Sequence, residues 1–169
     1  AGRGKYLVKI FNKNKSLRAC QDYIRGLVEF RKAGIPTPRL MVAGSGSYLH
    51  RVKGQRKRVF LCVMEFFGGK NFNDLKPTKK DVSVITKYIA GIHKIRFPIH
   101  HNYDSWGTVN LLNEYRLKGK YLSTSDRELI RPVIKDFKKI NFRQLPKSII
   151  HGDLHKDHIL KNRREEYCM

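Results

Sequence analysis

Acidic residues, paired cysteines and long apolar runs are scarce in this chain of 169 residues. Asp and Glu number 14 against 36 Lys and Arg, and the resulting net charge of +22 attracts anions such as phosphates and nucleic acids. The three cysteines, Cys20, Cys62 and Cys168, stand far apart with no C-x-x-C pair, so neither a thiolate zinc site nor a disulfide framework is indicated. Because such cysteine usage is typical of reducing compartments, we expect a cytoplasmic protein.

No apolar run approaches the roughly 20 residues that a membrane-spanning helix needs, so we expect no transmembrane segment. Internal repeats and low-complexity segments are also absent, which excludes repeat architectures. The basic residues are scattered along the chain. Charge alone therefore leaves three alternatives open: a nucleotide, RNA or another polyanion as partner, or simply a solvated basic surface.

The first part of the chain reads as strands interrupted by one helix. KYLVKIF (5–11) predicts a strand that contains Lys9, and Ser16 predicts the cap of a helix running to about Lys32. A hairpin is predicted over 46–67, with its tip in KGQRKR (53–58) and the apolar run VFLCVM as a central strand.

The second part of the chain changes to the period of helices. Asp81 predicts the start of one helix, and a capping box from Ser125 to Glu128 opens a later one that Pro132 must kink or delay. The remaining predicted elements are a helix over 109–120 and a strand from 167. Strands with one helix, then helices, then a short β element predict an α+β fold.

The polar loop HGDLHKDH (151–158) lies between two apolar segments. As a metal cage it offers D-x-H-x-D-H from Asp153 to His158, which resembles the H-x-H-x-D-H of metallo-β-lactamase-like zinc hydrolases. Asp153 stands at the first His of that pattern, and the other histidines of the chain lie in no recognisable ligand motif. A zinc hydrolase is therefore the less favoured interpretation.

The same loop also has the spacing of a phosphotransfer loop. Transfer from ATP needs a carboxylate that orients the acceptor hydroxyl and takes its proton, and a Mg²⁺ ligand that holds the phosphates. Asp153 and His158, five residues apart, have the spacing for these two roles. Gly152 would permit a tight backbone before Asp153, and His151 would brace the loop.

This loop resembles that of the aminoglycoside phosphotransferase and choline kinase-like family, which shares the protein kinase-like fold and carries H-G-D-L-H-x-x-N-I-L. The matching positions are His151, Gly152, Asp153, Leu154, His155, Ile159 and Leu160. The departure is His158, where the family usually has Asn, although some aminoglycoside kinases of the family carry His. Because an imidazole is a poorer Mg²⁺ ligand than an amide oxygen, this departure bears on the choice of metal.

The resemblance implies a partial two-lobe kinase-like fold, with a small β-rich lobe over 1–67 and a mainly helical lobe over 68–169. Lys9 would contact the phosphates of ATP, or of GTP, and Asp22 is the acid nearest to the position of its expected partner. The hinge would lie in VMEFFGG, with the backbone of Glu65–Phe67 on the purine and Met64 at the rear of the pocket.

Two elements of the family pattern are not matched within these residues. They are the phosphate-covering loop expected before Lys9 and a second metal-binding acid expected beyond Met169. As written, the chain is therefore expected to bind Mg²⁺-nucleotide weakly and to turn over slowly. For the acceptor, the resemblance points to the segment 100–115, where the candidates are Tyr103, Asp104, Trp106 and Glu114.

These observations predict a small-molecule kinase that uses ATP or GTP with Mg²⁺. The alternative from another class is a noncatalytic kinase-like module that binds RNA or another polyanion through its basic surface. A protein kinase or RIO-like kinase is a nearer alternative, distinguished by which acceptor becomes phosphorylated.

Overall fold

The computed structural model describes residues 4–53, 58–100 and 103–169. Much of the predicted hairpin tip, residues 54–57, lies outside the described residues. Within those three ranges, no helix combines the length and the apolar character needed to cross a membrane.

The first sheet has the antiparallel strands that the apolar runs predict. Strand β1 (Tyr6–Ile10) and strand β2 (His50–Lys53) both pair with strand β3 (Arg58–Glu65), which is central in the order β1-β3-β2. β3 contains the VFLCVM run, as predicted, because a strand flanked on both edges buries more of its side chains. The register places Lys9 opposite Cys62.

Helix α1 (Leu17–Lys32) covers this sheet and begins where the sequence predicts. The Ser16 hydroxyl accepts a hydrogen bond of 3.1 Å from the backbone N–H of Ala19, which satisfies one free amide of the first turn. The buried core formed by the helix, the sheet and the segments beside them contains Phe11, Cys20, Ile24, Leu40, Cys62 and Met64.

The caps of two later helices differ from the prediction. Helix α2 (Lys79–Lys94) is capped by Thr78, and Asp81 is its third residue, whose carboxylate accepts the Thr78 backbone N–H at 2.8 Å. A capping residue needs an extended backbone, and Thr78 has one, with ψ 166. The prediction that Asp81 is itself the cap is therefore wrong, although a capping box is present.

The cap of helix α4 (Thr124–Phe137) is also earlier than predicted, here by two residues. Ser123, with ψ 166, accepts the Asp126 N–H at 3.1 Å, so Ser123 is the cap and the predicted box from Ser125 to Glu128 is wrong. Pro132 lies inside the helix and does not delay its start. Before it, helix α3 (Leu111–Lys118) lies between 3-10 turns at Thr108–Asn110 and Gly119–Tyr121.

A second sheet of very short strands positions the polar loop. Strand β5 (Leu160–Lys161) pairs with strand β4 (Lys70–Asn71) and strand β6 (Tyr167–Cys168), both antiparallel. The Phe72 N–H donates to the Lys156 carbonyl at 3.1 Å. The segment that follows the predicted hinge therefore holds the end of the polar loop.

The chain forms two compact units, one of Ala1–His100 with Ser148–Met169 and one of His101–Lys147. The first contains both sheets, α1, α2 and the polar loop, and the second contains α3 and α4. Small antiparallel sheets and separate helices confirm the predicted α+β class. The lobe boundary at 67/68 stays a prediction.

Candidate functional site

The Asp153 loop, residues 151–158, is built on a glycine turn and one turn of 3-10 helix. Gly152 has φ +82, a left-handed conformation that a residue with a Cβ adopts only with strain, as the predicted tight backbone requires. Lys156–His158 form the 3-10 turn, in which the His158 N–H donates to the His155 carbonyl at 2.9 Å. These two features bring the side chains of Asp153, His155 and His158 to one place.

Asp153 presents its carboxylate to solvent, while His158 is held against it. The Asp153 side chain is 78% exposed. His158 Nδ1 lies 2.5 Å from the Asp153 carbonyl oxygen and 3.9 Å from Asp153 Oδ2. The carbonyl is an obligate acceptor, so Nδ1 donates to it and the Nε2 lone pair is left for another partner.

His155 is also oriented by Asp157. Its Nδ1 accepts a hydrogen bond of 3.4 Å from the Asp157 backbone N–H, and the same nitrogen lies 3.2 Å from Asp157 Oδ2. The His155 and His158 rings are 4.0 Å apart between centroids, and one ligand-type atom each of Asp153, His155 and His158 lies within 4.8 Å of the others.

His151 lies beside this group, with its ring centroid 6.0 Å from that of His158. Partial burial of its ring, and then the electrostatic influence of the neighbouring His158, lower the pKa of His151 below its ordinary value. The neutral form of His151 is therefore favoured at neutral pH. A neutral ring suits the predicted role of His151, which is to brace the loop.

The donor set of the Asp153 loop fits Mg²⁺ poorly. Mg²⁺ prefers six oxygen ligands in octahedral geometry, and the three clustered side chains supply one carboxylate and two imidazoles. Imidazole nitrogen suits zinc, copper and nickel ions better. The predicted role of His158 as a Mg²⁺ ligand stays a prediction.

Lys9 lies over an aromatic ring and not beside an acid. Its Nζ is 4.7 Å from the centroid of the Tyr23 ring, which is a cation–π contact. Among the described residues, no carboxylate lies within ion-pair distance of Lys9, and no ion pair joins it to the Asp153 loop. Spacing alone places the expected acid near Tyr23, and the structure shows that this position faces Lys9 but carries an aromatic residue.

Asp22, predicted as the partner of Lys9, is instead bound to His100. The buried carboxylate accepts the His100 backbone N–H at 3.1 Å and lies 3.0 Å from His100 Nδ1. Burial raises the pKa of Asp22, but the hydrogen bonds and charge of His100 outweigh burial and lower it. Neighbouring residues of a helix point in different directions, so Asp22 and Tyr23 cannot both face Lys9.

The predicted hinge has most of its amides engaged already. The Glu65 N–H donates to the Arg39 carbonyl at 2.8 Å, and the Phe66 N–H donates to the Lys5 carbonyl at 3.1 Å. Of the three hinge amides, only that of Phe67 has no acceptor within the part of the chain that the structure describes. Met64 is buried in the core. Of the three predicted hinge residues, Phe67 is therefore the one whose N–H is available to bind a purine.

A second polar group in the same unit escaped the sequence-based prediction. The Asp81 cluster consists of Thr78, Asp81, Lys161 and Tyr167, and its central carboxylate is 1% exposed. Asp81 Oδ1 accepts hydrogen bonds from Lys161 Nζ at 2.8 Å and from Tyr167 Oη at 2.5 Å. Burial raises the pKa of Asp81, but the hydrogen bonds of Lys161, Tyr167 and Thr78 together lower it far below its ordinary value.

The Asp81 cluster joins the first turn of α2 to strands β5 and β6. Its partners lie 80 and 86 residues away along the chain, so no local pattern marks them. Because every oxygen of Asp81 is bound internally, this carboxylate stabilises the fold and has no free valence for a ligand.

The predicted acceptor residues lie in the unit of 101–147 and have distinct roles. The Tyr103 hydroxyl donates to Glu114, and Lys118 forms an ion pair with the other carboxylate oxygen of Glu114. Asp104 organises a turn, because its carboxylate accepts the Trp106 N–H at 3.0 Å. Trp106 is 92% exposed. Tyr103 and Glu114 are thus brought together, and Glu114 is already charge-paired.

Comparison with known proteins identifies relatives of the whole chain. A sequence model of the family described as the phosphotransferase enzyme family matches residues 1–167. A search of curated proteins finds no match.

Solved structures share the fold at low sequence identity. An aminopropanol kinase associated with a microcompartment superimposes with a TM-score of 0.72 and 15% identity, over 95% of this chain and 54% of that one. Spectinomycin phosphotransferase in its AMP complex has a TM-score of 0.64 and 14% identity, over 99% of this chain and 58% of that one. The chain therefore has the predicted kinase-like fold and spans about half the length of these structures.

Proposed function

The chain belongs to the phosphotransferase enzyme family, and from that premise we propose that the protein transfers the γ-phosphoryl group of ATP or GTP to a hydroxyl group of a small molecule. The observation that carries the proposal is the Asp153 loop. A solvent-facing carboxylate follows a glycine turn, at the position that the family motif gives to its catalytic aspartate.

In the proposed reaction Asp153 orients the acceptor hydroxyl. The hydroxyl oxygen attacks the γ-phosphorus, the bond from phosphorus to the bridging oxygen breaks, and the hydroxyl proton passes to the Asp153 carboxylate. An exposed carboxylate suits this role because an acceptor can reach both of its oxygens. His158 braces the loop through its bond to the Asp153 carbonyl.

The nucleotide contacts proposed here come from the first sheet and the segment after it. Lys9 binds the phosphates as a cation held over the Tyr23 ring, and the Phe67 N–H binds the purine edge. Solved complexes of spectinomycin phosphotransferase with AMP, and with ADP and spectinomycin, support a nucleotide ligand. Since the donors of the Asp153 loop fit Mg²⁺ poorly, no step is assigned to the predicted Mg²⁺.

For the acceptor we propose a small alcohol that also carries an amine. The names of the structural neighbours give spectinomycin and aminopropanol as their acceptors, and Asp104 supplies a carboxylate with no basic partner within the described residues. Lys118 neutralises Glu114, which leaves Asp104 and the exposed Trp106 as the residues that would attract and cover a cationic acceptor.

Transfer of label from [γ-³²P]ATP tests the proposal, with 1-aminopropan-2-ol, choline, spectinomycin, a basic protein and an RNA offered separately. We expect label in an amino alcohol or aminocyclitol, and none in the protein or RNA. Labelled protein would favour the protein kinase alternative. ATP consumption without any labelled acceptor would contradict phosphotransfer to a hydroxyl.

The second candidate is a noncatalytic module that binds RNA, and the net charge of +22 favours it. Its affinity for RNA would fall steeply as salt rises, because each neutralised phosphate releases counterions. Tight, salt-dependent RNA binding with no labelled small molecule would support this candidate over the kinase.

A further inference from the structure

We infer that Asp153, His155 and His158 form a binding site for a borderline transition-metal ion such as Zn²⁺. Each contributes one ligand-type atom, and these three atoms lie within 4.8 Å of one another. Two ligands of a tetrahedral zinc ion, each about 2.1 Å from the metal, are about 3.4 Å apart. All three side chains are exposed, so small side-chain rotations suffice to close the remaining distance.

The hydrogen bonds around the two histidines prepare them for a metal. In protein metal sites, a ligating histidine usually donates its other ring N–H to a carboxylate or a backbone carbonyl, which fixes the tautomer. His158 has this arrangement, with the Asp153 carbonyl 2.5 Å from Nδ1, and so presents Nε2 as the free ligand atom. His155 has the Asp157 carboxylate 3.2 Å from Nδ1, near enough to accept an N–H there once a metal takes Nε2, and Asp157 is thus its positioning residue.

The chemistry of the donors selects the class of ion. Two imidazoles and a carboxylate are the ligand set of catalytic zinc sites, in which a fourth position stays open to water or substrate. Mg²⁺ keeps most of its oxygen shell and gains little from imidazole. With His158 beside His155, the donor set of this loop favours zinc, cobalt or nickel ions over Mg²⁺.

Metal binding itself does not depend on phosphotransfer, but its consequence rests on the proposed function. An ion bound to Asp153 occupies the carboxylate that would accept the hydroxyl proton. Free Zn²⁺ would then inhibit transfer by competing for Asp153.

The test is metal binding without nucleotide or acceptor. Co²⁺, which replaces Zn²⁺ and absorbs visible light when bound by nitrogen and oxygen ligands, is titrated into the protein in excess Mg²⁺, and Zn²⁺ then displaces it. We expect one bound ion per chain. His155→Ala and His158→Ala should each weaken binding by about 10- to 100-fold, and Asp157→Asn by about tenfold.

The matched control is His93→Ala, since His93 is an exposed histidine on α2 outside the loop. Its affinity should equal that of the native protein, and thermal unfolding checks that each variant is folded. Absence of Co²⁺ and Zn²⁺ binding would overturn the inference, as would equal affinity in native protein and a folded His155→Ala, His158→Ala double variant. Neither outcome would bear on phosphotransfer, which the label experiment measures independently.

Discussion

The Asp153 loop and the Asp81 cluster each place an aspartate beside a potentially cationic side chain, but their surroundings differ. Asp153 is 78% exposed at the side chain, whereas Asp81 is 1% exposed and bound by Thr78, Lys161 and Tyr167. Burial without hydrogen bonds is costly for a carboxylate, and both oxygens of Asp81 accept bonds from within the fold, which leaves this carboxylate no oxygen for a substrate. An exposed carboxylate adds little to stability but can meet a substrate. The comparison separates a carboxylate for the fold from one for chemistry.

The largest effect on stability is expected for a substitution of the buried Asp81. Asp81→Ala leaves Lys161 without its main partner and removes half of the α2 capping box, and we expect it to lower the free energy of unfolding by about 3 kcal/mol. Urea denaturation measures this change. The control Asp136→Ala removes an exposed carboxylate paired with Lys139 and should change stability by less than about 0.5 kcal/mol. Equal losses in both variants would contradict a structural role for Asp81.

Asp22 is a second buried carboxylate that is hydrogen-bonded within the fold. Asp22→Ala leaves the His100 amide and ring nitrogen without their carboxylate partner, and we expect a loss of about 2 kcal/mol. Asp22→Asn keeps one acceptor oxygen and should lose less. The same denaturation measurement applies, and a change below about 0.5 kcal/mol for Asp22→Ala would show that the bond to His100 contributes nothing to stability.

The depressed pKa of Asp81 predicts a direction of pH dependence. Its stabilisation is complete above the unfolded-state pKa of about 4 and is lost as the pH falls below that value toward the folded-state pKa. The difference in unfolding free energy between native protein and Asp81→Ala should therefore narrow below about pH 4, by roughly 1.4 kcal/mol per pH unit. A difference that is constant from pH 7 to pH 3 would contradict the shift.

In the exposed Asp153 loop, the residue with a strained backbone conformation is Gly152. An added Cβ meets no atom within 4 Å, so the cost of Gly152→Ala comes from its φ of +82, and we expect about 1 kcal/mol. Gly44→Ala is the matched control, because its Cβ also meets nothing within 4 Å and its φ is not in the positive region. If the two variants unfold at the same urea concentration, the turn is not strained.

Patterns of neighbouring residues predicted much of the fold. The Ser16 cap, the β-branched, aromatic and apolar runs of the first sheet and the letters of the Asp153 loop were readable because each signal lies within a few residues. The caps at Thr78 and Ser123 were misassigned because acceptable capping residues stand two or three positions apart, and only the backbone angles choose between them.

What could not be predicted depends on contacts between distant segments. Asp81 meets Lys161 and Tyr167 across 80 and 86 residues, and the two-residue strands β4 and β5 are too short to show a period. Spacing placed the partner of Lys9 near Tyr23, but an acid was expected there. The packing of α1 decides which of its side chains meets Lys9, and it turns Tyr23 toward Lys9 and Asp22 toward His100.

The central claim is that Asp153 serves the chemistry and not the fold, and the phosphotransfer rate of Asp153→Asn tests it most directly. Transfer from [γ-³²P]ATP to the labelled acceptor is measured beside Asp136→Asn as the control, together with nucleotide affinity and unfolding free energy. We predict that Asp153→Asn lowers the rate by roughly 10²- to 10⁴-fold, while nucleotide binding persists and stability changes by less than about 0.5 kcal/mol. An unchanged rate in Asp153→Asn would contradict the account.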